Sequence, residues 1–77
     1  MTEMRASGTK TIRVHLNGKD REVAEGHTVR SLVESLELQP ALVVVELNRE
    51  ILARDAYAEV PVRDGDTIEL VHFVGGG

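Results

Sequence analysis

Apolar and polar residues alternate from Ile12 to Asn17, and the alternation runs straight into Asn17-Gly18. Ile12, Val14 and Leu16 fall on one face. Arg13, His15 and Asn17 fall on the other, the period-two pattern of a half-buried strand. Asn-Gly tolerates the positive φ values of a tight two-residue turn, so the chain is expected to fold back here as a hairpin. The returning strand is expected over Glu22–Glu25, around Val23.

Gly26-His27-Thr28 breaks the pattern. Thr28 is a good N-cap, because its hydroxyl can accept from a free amide of a first helical turn. Behind it Val29, Leu32, Val33 and Leu36 recur at helical spacing and predict one apolar stripe, with Arg30, Ser31, Glu34 and Ser35 facing outward. Pro40 is expected to end this element. Leu42–Leu47 is rich in valine and reads as a buried central strand. Asn48-Arg49-Glu50 reads as a polar turn and Ile51-Leu52 as a brief strand. Arg54–Val60 reads as irregular with one short helical turn, and Asp64-Gly65-Asp66 as a turn. The last strand, Thr67–Val74, places Ile68 and Leu70 on one face and Glu69, Val71 and Phe73 on the other.

A hairpin, one helix and further strands define an α+β layer architecture. The order predicts a β-grasp, or ubiquitin-like, fold: a mixed sheet of four to five strands crossed by one main helix, with the first and last strands side by side at its centre. Residues 1–10 read as a disordered N-terminal extension, 11–74 as the β-grasp domain and 75–77 as a flexible glycine tail.

Composition narrows the function. The chain has 77 residues, enough for one small domain with a thin core. It has no cysteine, which excludes disulfides, thiolate metal sites and cysteine nucleophiles. Tyr57 and Phe73 are the only aromatics and the formal net charge is −4, which argues against nucleic-acid binding. The longest apolar run, Ala41–Val45, is far too short for a membrane span, and the N-terminus has no secretory pattern, so a cytoplasmic protein is expected.

No residue pattern here builds an active site. His15, His27 and His72 make no metal motif and read as surface or edge residues. Asp64 and Asp66 are explained by turn chemistry, and Glu69 has no evident pocket to join them in. The remaining candidate is the chain end. Gly75-Gly76-Gly77 has no side chain to pack and is slim enough to thread a narrow channel. The α-carboxylate of Gly77 is ionised at neutral pH and can attack the α-phosphorus of ATP in a partner's site, giving an acyl-adenylate. A glycine-rich end taken alone is more often a frayed terminus; its place directly after a β-grasp final strand is what favours the chemical reading. Val71 and Phe73 are expected to face outward beside it as a docking patch, the alternative being that Phe73 folds back over the core edge.

Several segments together carry a resemblance: Val45-Glu46-Leu47-Asn48-Arg49-Glu50-Ile51, Arg54, Asp64-Gly65-Asp66-Thr67-Ile68-Glu69 and Phe73-Val74-Gly75-Gly76-Gly77. They resemble the ThiS family of thiamine-biosynthesis sulfur carriers over about Ile12 to Gly77. The final Gly-Gly is shared more widely, with ubiquitin and the molybdopterin-synthase small subunit. The leading ten residues, and Ala53 where a proline often precedes the arginine, depart from the family pattern.

The resemblance implies a carrier and not an enzyme. An E1-like adenylyltransferase, ThiF, would adenylate Gly77 with ATP and Mg²⁺, and this chain would bind no cofactor itself. A persulfide donor such as a cysteine desulfurase would then convert the adenylate to a thiocarboxylate, and thiazole synthase, ThiG, would take the sulfur. Gly75 and Gly76 would form the slim approach, and Val71, Phe73 and Val74 would dock on the partners. Delivery to molybdopterin or cysteine synthesis, protein tagging through an isopeptide bond, and a β-grasp interaction module with an inert tail are the alternatives.

Overall fold

Asn17 and Gly18 both sit in the left-handed region, with φ of 50° and 83°, and the hairpin forms where the alternation predicts it. The computed structural model describes residues 10–73. Strand β1 spans Thr11–Leu16 and β2 spans Lys19–Ala24, longer than expected at its start. Every residue of β1 pairs across the hairpin, from Thr11 with Ala24 to Leu16 with Lys19. Turn geometry imposes that register on residues 19–21, which carry no apolar signal of their own.

The helix α1 spans Val29–Ser35 and buries Val29, Leu32 and Val33. Seven residues are too few for a stable isolated helix. Burial of those three side chains, at about 1.5–3 kcal/mol each, therefore outweighs any local term. The start is nonetheless fixed by a capping box. Ser31 N–H donates to Thr28 Oγ1 at 3.1 Å, and Thr28 N–H donates to Ser31 Oγ at 2.9 Å. Pro40 does not stop the helix. The helix ends five residues earlier, at Ser35, in a Schellman arrangement, with Glu37 at φ 65°, Leu38 N–H donating to Val33 C=O and Glu37 N–H to Glu34 C=O. Pro40 instead opens a 3₁₀ turn, Pro40–Leu42.

Strand β3 therefore starts one residue later than expected, at Val43, and runs to Leu47. Val43 and Val45 are fully buried while Val44 and Glu46 are half-buried, so one face is core and the other open. The run of valines conceals this alternation. Strand β4, Glu50–Ile51, returns after Asn48 and Arg49, both at positive φ. A 3₁₀ turn at Arg54–Ala56 matches the expected helical turn. Strand β5 spans Thr67–His72.

The described residues make one five-stranded mixed sheet in the order β2-β1-β5-β3-β4. β1 and β5 lie side by side and parallel at its centre, and β5 is antiparallel to β3. Helix α1 covers the face carrying Val14, Leu16, Val45 and Ile68. This is the β-grasp arrangement expected from the element order.

Candidate functional site

Strand β5 delivers the candidate site, because it leads out of the sheet centre into the glycine tail. Val45 stands opposite Leu70 and Leu47 opposite Ile68, which puts Ile68 and Leu70 on the helix side. Val44 stands opposite Val71 and Glu46 opposite Glu69, so these four share the open face. Phe73 N–H still donates to Leu42 C=O at 2.9 Å, extending the β5–β3 pairing by one bond. Val71 is 53% exposed and Phe73 54% exposed, so Phe73 does not fold back over the core edge. Ile51, paired with Glu46 on the same face, is a third exposed large apolar residue. The sequence singled out Val71 and Phe73. Val44 and Ile51 join them only through strand register, which no local pattern encodes. Val74, Gly75, Gly76 and Gly77 lie outside the described residues, as do residues 1–9.

The electrostatics of the open face are unusual. Glu46 and Glu69 are like charges placed directly opposite, a destabilising arrangement on an isolated sheet. They line a shallow hollow with His15, Arg49, Thr67 and Val71. Farther across the face, His15 Nδ1 lies 2.9 Å from Asp20 Oδ1. That hydrogen bond, reinforced by the charges of His15 and Arg13, holds the Asp20 carboxyl below its ordinary value of 3.8.

The other singled-out groups serve local structure. His27 Nδ1 lies 2.7 Å from Ser31 Oγ at the helix start. His72 follows Leu70 at the strand end and is exposed. Asp64 Oδ1 accepts from Arg13 N–H at 2.9 Å, and Asp66 Oδ2 accepts from Arg63 N–H at 2.8 Å. These carboxylates fasten turns, as their spacing suggested, and Glu69 is not brought together with them. Among the described residues no group of three or more histidine, aspartate or glutamate side chains could hold a metal ion. No helix among them is long and apolar enough to cross a membrane.

The described residues thus form a β-grasp domain with an exposed apolar face at the end of its central strand β5. Comparison with known proteins makes the assignment particular. The ThiS family model matches residues 14–77. The chain is 45% identical over 65 residues to the sulfur carrier protein ThiS of Bacillus subtilis, covering 83% of this chain and 98% of that protein. The crystal structure of the thiamine biosynthesis protein ThiS from Geobacter metallireducens superposes with a TM-score of 0.73 at 40% identity, covering 86% of this chain and all of that one. A thiazole synthase of Magnetococcus marinus is 38% identical over 66 residues, which span 86% of this chain and 20% of that longer protein. The chain belongs to the ThiS family, the sulfur carriers of thiamine biosynthesis.

Proposed function

We propose that this sulfur carrier of thiamine biosynthesis holds its sulfur on the α-carboxylate of Gly77 and that partner proteins supply all the catalysis. The observation that carries this reading is that the family match runs through the glycine tail to Gly77.

The carboxylate oxygen of Gly77 attacks the α-phosphorus of ATP in an E1-like partner. Pyrophosphate leaves with its electron pair, and an acyl-adenylate results. A persulfide sulfur then attacks the acyl carbon and AMP leaves. Reductive cleavage of the resulting acyl disulfide by a thiol, which is itself oxidised to a disulfide, leaves the thiocarboxylate. A carboxylate is a poor acyl donor, and adenylation replaces it with a good leaving group at neutral pH. Mg²⁺ and ATP belong to the partner's site. This chain contributes the nucleophile, a stalk without side chains and a docking face made of Val71, Phe73 and Val74 with Val44 and Ile51 beside them.

Thiazole synthase is the proposed recipient. The appearance of a region resembling this chain inside thiazole synthases of Magnetococcus marinus and Paramagnetospirillum magneticum supports a working relation between the two.

The test is removal of Gly77. The truncated chain should fold as before and take no AMP from ATP in the presence of the activating enzyme. The full chain should gain the mass of one oxygen exchanged for one sulfur when the persulfide donor and a thiol are added. Sulfur loading of the truncated chain would refute the reading.

A further inference from the structure

Strand β5 outruns its parallel neighbour. Pairing between β1 and β5 ends at Leu16 with Ile68, because β1 turns away at Asn17-Gly18. At the ends of this pairing His15 N–H donates to Asp66 C=O at 2.8 Å and Asn17 N–H to Ile68 C=O at 2.9 Å. The next donor, Leu70 N–H, has no β1 carbonyl left to meet. Asn17 supplies one from its side chain: Oδ1 accepts from Leu70 N–H at 2.7 Å. The other hairpin does the same at the start of the strand, where Asn48 Oδ1 accepts from Thr67 N–H at 2.9 Å.

Both asparagines sit at φ 50° as first residues of their turns. The turn alone explains a residue tolerant of positive φ, and glycine would serve there with less strain. It does not explain a side-chain bond to a strand 53 positions away.

We propose that Asn17 is a positioning residue for sulfur loading, which clamps Leu70 so that β5 remains a formed strand up to the root of the tail. With Leu42 C=O holding Phe73 from the other side, the strand end is held from both flanks up to the residue before Val74. A frayed root would have to be ordered on binding, at about 1–2 kcal/mol for each residue released. The inference rests on the reading of Gly77 as the loaded group.

The test compares Asn17→Gly, which keeps the turn and removes the acceptor, with Asn17→Asp, which keeps both. Each full-length chain is adenylated by the E1-like activating enzyme with ATP, well below its melting temperature. Exchange of the Leu70 amide is followed by NMR. In Asn17→Gly the Leu70 amide should exchange faster and kcat/KM should fall on the order of fivefold, the equivalent of ordering one residue. Asn17→Asp should restore both. A lost amide protection with unchanged kcat/KM would make the bond merely structural and overturn the proposal, as would full protection in Asn17→Gly. Absence of adenylation in the wild-type chain would instead overturn the Gly77 reading, and the inference with it.

Discussion

The hydroxyl of Tyr57 stands in for a strand beside Val43. It donates to Val43 C=O at 2.8 Å and accepts from Val45 N–H at 3.2 Å. Strand β4 pairs only with Glu46 and Leu47, so the first half of β3 has no strand on that side. One side-chain oxygen there serves both a backbone donor and a backbone acceptor in a buried site, and an exposed pairing edge is removed.

Tyr57→Phe keeps the ring and leaves both backbone groups without that partner. An unsatisfied buried polar group costs about 1–3 kcal/mol. For a domain this small each kcal/mol lowers the melting temperature by about 4–8 °C. Calorimetry should show a drop of that order, with adenylation of the folded variant unchanged because Tyr57 lies on the far side of the sheet edge from the open face. A melting temperature equal to wild type would show that water replaces the hydroxyl.

Glu37 ends the helix in the left-handed conformation at φ 65°, where a side chain costs roughly 1–2 kcal/mol. Glycine is the usual occupant of this position. Glu37→Gly should therefore stabilise the domain by about 0.5–1 kcal/mol, the strain relieved less the added entropy of the unfolded chain. Urea unfolding should give a higher midpoint at unchanged slope.

How far the sequence could be read depended on whether the signal was local. The Asn17-Gly18 hairpin, the Thr28 cap, the helix stripe and the faces of Ile68, Leu70, Val71 and Phe73 follow from spacing alone, and the structure agrees. The helix end was misplaced because Pro40 is a visible breaker, while a glutamate at φ 65° carries no signature. Leu42–Leu47 reads as a buried central strand, and its open face is hidden because valine occupies core and open positions alike. The side-chain bonds of Tyr57, Asn17 and Asn48 are not legible for one shared reason: each goes to backbone that is distant in sequence or edge-bound, and a sequence does not display which carbonyl or amide will lack a partner. The exposed apolar face was half legible. Val71 and Phe73 were found, whereas Val44 and Ile51 needed the register of two strand pairs.

The Asp20 carboxyl gives the stability a small acid dependence. Its hydrogen bond with His15 lowers its value in the folded state below the ordinary 3.8. A depressed carboxyl contributes fully above its unfolded value and loses that contribution as pH falls through the folded one. The loss therefore begins below about pH 4. Both side chains are well exposed, which keeps the effect small. Asp20→Asn should melt below wild type at pH 5, and the gap should be smaller at pH 3. An equal gap at both values would mean that the carboxylate's charge is irrelevant.

Glu46 and Glu69 should be worth more apart than together. Opposed like charges on neighbouring strands destabilise by about 0.2–1 kcal/mol. Glu69→Gln should raise stability by that order, with the gain shrinking in high salt as screening grows. If the open face receives a basic group from a partner, the same variant should bind its activating enzyme more weakly while being more stable. A stabilised variant with unaltered binding would remove Glu69 from the docking face.

Phe73 supplies the sharpest test of that face. Its side chain is 54% exposed, so little core packing is lost on truncation. Exposed substitutions of this kind usually change stability by no more than about 0.5 kcal/mol. An aromatic at the centre of an interface is another matter, since truncation of such an anchor commonly costs about 2 kcal/mol of binding. Tenfold in affinity corresponds to about 1.4 kcal/mol. Phe73→Ala should therefore melt close to wild type and raise the KM for adenylation at least about tenfold. Val71→Ser should act in the same direction and more weakly, because valine buries less area than phenylalanine. Phe73→Ala with wild-type KM would mean that the partner grips the glycine tail alone and that the apolar face beside it plays no part in recognition.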